Sequence, residues 1–529
     1  MLKENMKKII RGEYLILLAI LILAAIFRYY KLRTVPDWYQ DEGEFIRLAN
    51  YLSKGSFDFS GIRNSLLLIG RPPLFLWILA GAFKLFGTDI IVLRSLSVTC
   101  SILLIGICYF LARQALGRTA AFYGALLLAI FPEYIFYNRI GFSYNWTSLW
   151  ILIFVFGLWK YLMLDKWRWL VVACLTAGIA FASDYIGIIS VLVLFLVILF
   201  THPRQLWNML IVGIPWIVAM LPIFIRAPAD VWHDLTFTIF WGSGGGGNLI
   251  FKLAGMISKY SETVIRQTLI VLGIVGIFIL KNNRLRILFL LMISGIFVLL
   301  LPSRVLLGHY LLPVWPFIMI GLGSFLEKSI AYIYTFLQSS IININSRLLR
   351  ILPETSKNFL GAFISTLIVF VIVFLPITWM IILNIRSFMI EPVNPTLVLR
   401  ENPFSDGFIP AVDAEAIANE ISPTLKPDDF VIAPGVIYWM LPGNATDVRT
   451  VVIYEYGGKT LGMGDVNRER FTVNSSLSNA KYAVVDNTWR TWWVNMAPEI
   501  TTILDEVSNW PMIMTRGDLQ LFCNPNYCR

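Results

Sequence analysis

Charge is scarce in this chain. Only 14% of its 529 residues are Asp, Glu, Lys or Arg, against 57% hydrophobic residues and a mean hydropathy of +0.71. That balance excludes a soluble domain of this length. Histidine is nearly absent, and His202, His233 and His309 are too scattered to form a ligand set. No zinc or Ser-His-Asp spacing occurs. The glycine run GSGGGG (242–247) has no preceding strand and the wrong spacing for a dinucleotide motif. The net charge of +10 is not the footprint of a nucleic-acid partner, because the basic residues alternate with apolar runs. No small-x-small cleavage site follows the first apolar run, so that run is expected to stay as a signal anchor.

What the chain does have is apolar stretches of membrane length, about 17–25 residues. Eleven can be drawn, at 14–30, 90–112, 119–137, 146–163, 167–183, 185–201, 206–226, 265–280, 285–302, 309–326 and 359–384. The short connections on one side, near 113–118, 160–169, 201–205, 281–286 and 327–358, carry most of the Lys and Arg. Those on the other side hold only Arg139 and Arg304. Short-loop Lys and Arg stay cytoplasmic, which predicts a cytoplasmic N-terminus and an external C-terminus. The fold class is thus a polytopic α-helical membrane protein with about 11 transmembrane helices. A membrane domain (1–385) is followed by a C-terminal extracytoplasmic mixed α/β domain (386–529).

The first outer loop, 31–89, carries an acidic pair, Asp41-Glu42, close to the expected bilayer surface. Segment 41–55 places Phe45, Leu48, Ala49 and Leu52 at helical spacing, as in a helix lying in the membrane interface. Acidic residues in its first turn suit the helix dipole. A second interfacial helix is expected after Pro72-Pro73, which fit initial helix positions; its 14 residues are too few to span. Charges at a membrane border are functional candidates, although Asp41 also reads as a simple helix cap.

The order of these features resembles the C-type glycosyltransferases (GT-C), in the branch of protein O-mannosyltransferases and lipid A aminoarabinose transferases. The similarity rests on the signal anchor, the Asp-Glu pair opening a helix, and RPPLFLW (71–77). YNRIGFSYNWTS (137–148) and GHYLLPVWPF (308–317) extend it. Two departures stand out: 140–147 holds no acidic residue, and His309 occupies a position where relatives often carry Arg. The resemblance implies transfer of one sugar from a polyprenyl- or dolichyl-phosphate carrier to an acceptor protein, lipid or glycan, outside the plasma membrane. Asp41 would be the general base and Glu42 its neighbour in the site, orienting the acceptor or pairing with a cation. Residues i and i+1 do not face each other on a helix, so a retaining carboxylate dyad is not expected and inversion is. A divalent cation is an open cofactor.

Cations for a donor phosphate are Arg71, Arg139, Arg304 and His309, with Tyr310 supplying a hydroxyl. Arg71 equally fits an interfacial snorkelling role, and His309 a structural hydrogen bond. Asp184-Tyr185, in a tight outer turn, would hold Arg139, contact substrate or serve the turn itself. Loop 227–264 is a flap or a connection. In the tail, 413–421 reads as a helix; 429–433, 450–454, 481–486 and 519–523 read as strands. Cys523 and Cys528 are five residues apart where a disulfide persists; Cys100, Cys108 and Cys174 fall in apolar runs as packing residues. The competing class is a multispanning transporter with an extracellular sensor domain. Transporters bury ionisable groups near the midplane, often within repeats, whereas here the charges cluster at one border and no repeat appears.

Overall fold

The computed structural model describes residues 2–55, 72–226, 228–229, 232, 264–301, 308–348, 354–390, 407–457, 466 and 468–528. The glycine run, His233 and most of 227–264 lie outside the described residues, as do Arg71 and Arg304.

Helix α1 is Leu2–Tyr29, and a short strand β1 (Trp38–Tyr39) leads into α2 (Gln40–Ser53). There follow α3 (Leu74–Phe86), α4 (Ile90–Ala115), α5 (Arg118–Ile130), α6 (Pro132–Asn138), α7 (Ser143–Leu164), α8 (Trp167–Ser183), α9 (Ile188–Thr201) and α10 (Leu210–Arg226). The bundle is completed by α11 (Val264–Phe278), α12 (Asn283–Leu300), α13 (Trp315–Leu348) and α14 (Glu354–Ile385). Six helices among the described residues have the length and hydropathy to cross a bilayer, or seven if the α5–α6 pair, bent by 61°, is one span. The break falls at Pro132, which has no amide proton to continue the α5 hydrogen-bond ladder. The remaining apolar helices are shorter, among them α8 and α9. The segment expected at 309–326 begins as a helix only at Trp315, after a 3-10 turn at Gly308–Leu311.

The chain from Phe408 builds a five-stranded sheet in the order β4-β3-β5-β7-β6. Strand β2 (Phe408–Ile409) and helix α15 (Ala411–Ile421) precede β3 (Phe430–Ile432), α16 (Gly435–Tyr438), β4 (Asn444–Thr446) and α17 (Val448–Tyr456). Then come β5 (Ala480–Val485), α18 (Glu499–Ser508), β6 (Met512–Arg516) and β7 (Leu519–Cys523). Strands β4, β3 and β5 are parallel; β7 and β6 are antiparallel. The 450–454 segment, read as a strand, is helix α17. Asp447 caps it by accepting from the Thr450 amide at 3.2 Å, and Val448, Val451 and Val452 bury one helical face. Valine and isoleucine raise strand propensity, but the crossover between parallel strands needs a covering helix there. Cys523 and Cys528 are joined in a disulfide beside the sheet, while Cys100, Cys108 and Cys174 are free and buried.

The tail is fastened to the first outer loop. Strand β1 pairs antiparallel with β2, Trp38 opposite Ile409 and Tyr39 opposite Phe408. The apolar face of α2 is not left to lipid: Phe45, Ile46, Leu48 and Ala49 share one core with Phe75 and Leu79 of α3 and with Val436, Val484 and Leu521 of the tail. Helix α2 is therefore an internal layer between the bundle and the sheet, and its amphipathic pattern reports protein packing. Glycine permits this approach, since a Cβ on Gly43 would stand 1.8 Å from the Gly435 carbonyl oxygen.

Candidate active site

The site is built around the first turn of α2. Tyr39, in extended conformation, precedes the helix, and Asp41 is its second residue, half-buried. Adjacent side chains on a helix diverge, and the two carboxylates have different surroundings. Glu42 has no exposed surface. Its Oε1 accepts from Arg94 Nε at 2.8 Å and from the Gly141 amide at 2.7 Å. Its Oε2 accepts from Arg94 Nη2 at 2.7 Å and from the Tyr39 amide at 2.9 Å. Arg94, also fully buried, donates further to the carbonyls of Leu32, Pro36 and Asp37 at 2.8–3.0 Å. This ion pair thus joins the first outer loop, the start of α4 and the 139–142 turn.

The sequence-derived cations divide. Arg139 is fully buried, and its guanidinium donates to the carbonyls of Phe27, Tyr30 and Val35. It also faces the Phe388 ring at 5.1 Å. Its donors therefore hold backbone where a phosphate would need them. Asp184 caps the turn that starts at Tyr185, accepting from the Ile186 amide at 3.2 Å, and takes the Ser143 hydroxyl at 2.8 Å. It serves the turn and ties it to the start of α7. His309 is buried in an aromatic cluster, 4.4 Å from Phe142, 4.8 Å from Tyr310 and 5.0 Å from Tyr144 between ring centres.

Residues not singled out from sequence complete the picture. Arg266, at the start of α11, is buried and donates from Nε to Glu133 Oε2 at 2.8 Å, beside the α5–α6 bend. Across from Asp41 lies the carboxyl edge of the parallel strands, the usual crevice of such sheets. Asp447 and Asp486 follow β4 and β5 there. Arg449 is ion-paired with Asp447 and stacks on the Trp493 ring at 4.3 Å from its centre. Burial works against the Arg449 charge, but Asp447, Asp41 and Glu44 outweigh it, so its pKa lies above the ordinary value. Gln40 Nε2, one residue before Asp41, donates to Asp486 Oδ2 at 2.6 Å and to Thr488 Oγ1 at 3.0 Å. Burial pushes Asp486 up to about 6, against the pull of the Thr488 hydroxyl and the Trp489 amide.

Among the described residues no three of His, Cys, Asp and Glu converge to hold a metal ion. The arrangement offers one half-exposed carboxylate on a rigid helix start, a buried carboxylate fixed by arginine, and cations at its margins.

The family model for dolichyl-phosphate-mannose-protein mannosyltransferase matches residues 70–232. The structure is similar to that of ArnT from Cupriavidus metallidurans bound to undecaprenyl phosphate. The identity is 16%, 96% of this chain and 97% of that chain are covered, and the TM-score is 0.59. The oligosaccharyltransferase of Archaeoglobus fulgidus in its apo form aligns over 94% of this chain and 73% of its own, with 12% identity and a TM-score of 0.52. No curated protein matches by sequence. The fold is thus shared with ArnT and with the archaeal oligosaccharyltransferase, both of GT-C architecture.

Proposed function

We propose that this chain, a membrane glycosyltransferase of GT-C fold, transfers a single sugar from a polyprenyl- or dolichyl-phosphate donor to an acceptor, with Asp41 as general base. The observation that carries the reading is the seating of Asp41. It is half-buried at the seam between the apolar bundle and the tail sheet, while Glu42 beside it is locked by Arg94. The donor's leaving group is a lipid phosphate, already a stable anion, so no general acid is required. The acceptor hydroxyl does need a proton acceptor within hydrogen-bond reach. With one such base and a direct displacement, the product is inverted at the sugar carbon. The chain's likeness to ArnT with undecaprenyl phosphate supports a polyprenyl carrier.

In this reading the N-terminus is cytoplasmic, residues 1–385 form eleven crossings of the plasma membrane, and residues 386–529 stand outside it. The distribution of short-loop Lys and Arg supports that orientation. Incubating membranes with radiolabelled lipid-phosphate sugars should yield label in protein or lipid. A reporter fused at 204 should read as cytoplasmic and one at 430 as external. A cytoplasmic signal at 430 would refute the side assigned to the site.

The donor phosphate is assigned to Arg71, with Arg304, His309 and Tyr310 as the alternative pocket. Arg71 directly precedes Pro72 and the start of α3, where free backbone donors favour an anion. A guanidinium grips two phosphate oxygens, whereas an ammonium is a point charge. Arg71→Ala should raise the half-saturating donor concentration by about tenfold or more, the worth of one charged hydrogen bond. Unchanged donor saturation in Arg71→Ala together with its loss in Arg304→Ala would move the phosphate to the later turn.

A further inference from the structure

We infer that Asp486, in the C-terminal sheet, is a positioning residue for Asp41 and acts through the side chain of Gln40. The inference rests on the reading of Asp41 as the base. Gln40 opens α2 and is covalently next to Asp41, so whatever fixes its side chain sets the start of the helix. Its amide reaches 446 residues along the chain to Asp486 Oδ2, at 2.6 Å. Asp486 is 2% exposed. Its other oxygen already caps its own turn, taking the Thr488 hydroxyl at 2.5 Å and the Trp489 amide at 3.2 Å. Local capping thus uses Oδ1 and leaves Oδ2 to the catalytic helix.

The backbone is gripped at the same place. A Cβ on Gly435, at the start of α16, would stand 2.3 Å from the Gln40 carbonyl oxygen. Two turns along, Arg47 donates to the Ala445 carbonyl and lies over the Tyr438 ring, 4.9 Å from its centre. Strand β4 and the segments that follow β3 and β5 therefore all meet the N-terminal half of α2. A buried carboxylate is costly unless its hydrogen bonds are made, so the Gln40 contact has a strong preference for one geometry. The tail sheet acts as a clamp that aims Asp41, and Asp486 is its polar contact.

The test uses the full chain in lipid nanodiscs, with amide hydrogen exchange across residues 40–46 read by mass spectrometry. Gln40→Leu and Asp486→Ala should each speed that exchange by about tenfold, the worth of a lost charged hydrogen bond. Asp486→Asn should stay within about threefold of wild type, because the Gln40 amide can turn and accept from the new amide. With dolichyl-phosphate mannose as the probe donor, Gln40→Leu should lower kcat about tenfold and leave the donor KM within about twofold, as expected when an interaction made in the transition state is weakened. Unchanged exchange in both Gln40→Leu and Asp486→Ala overturns the clamp, as does an Asp486→Asn variant as loose as Asp486→Ala. The base reading fails separately, through retained turnover in Asp41→Asn, whatever that variant's exchange of 40–46.

Discussion

Asp41→Asn should lower sugar transfer by roughly two to four orders of magnitude, the usual worth of a positioned proton acceptor. Expression and melting should stay near wild type. Asparagine tolerates the start of a helix about as well as aspartate, and the position is half-buried rather than sealed. The contrast with its neighbour sharpens the measurement. Glu42 is held by four hydrogen bonds, and a defect there would combine folding with chemistry. A change at Asp41, which removes the carboxylate charge and keeps its shape, reads chemistry more directly. Single-turnover transfer with saturating donor separates the two, because it reports the rate of properly folded protein. Near-normal turnover in Asp41→Asn would reduce this residue to a helix-start role.

Arg94→Ala is expected to be the most damaging substitution for assembly. Removing one partner of a buried ion pair leaves the other charge without compensation, at a cost of about 3–5 kcal/mol. Here the loss is compounded, because Arg94 also serves three carbonyls of the first outer loop. The melting temperature of purified protein should fall on the order of 10 °C, if the tail and loop unfold as one unit. Arg94→Lys should rescue little, since an ammonium cannot reproduce the two-point contact with Glu42. Replacing both partners with apolar residues of similar volume, as in Glu42→Leu with Arg94→Met, should recover only a small part of the loss, since the backbone carbonyls and amides that the pair serves stay unpartnered. Melting of Arg94→Ala within a few degrees of wild type would show that the pair contributes little to holding the loop.

Much of the bundle is legible in the sequence because bilayer thickness imposes a length on apolar runs. Helix α2 is legible for a different reason, since its apolar spacing survives whatever covers that face. What covers it is not legible: the partners lie hundreds of residues away, in Val436, Val484 and Leu521. The same limit applies to the charges. Arg94 sits inside an apolar run and pairs 52 residues back, and Arg266 pairs across 133 residues. A solitary arginine within an otherwise apolar helix was a signal available from the start, because such a charge must find a partner. The misread 450–454 segment shows that β-branched residues decide little when a parallel crossover demands a helix. In the tail, a run of valines was weaker information than the Asp447 cap beside it.

The span between Gln40 and Asp486 also sets a schedule. At about 5–20 residues per second, the ribosome needs on the order of half a minute or more to reach the second after making the first. Until then Gln40 lacks its partner in the sheet, and Trp38 and Tyr39 have a strand to pair with only once Phe408–Ile409 has been made. The half-made chain can enter the membrane with its site unassembled, so that catalytic competence waits on the tail sheet.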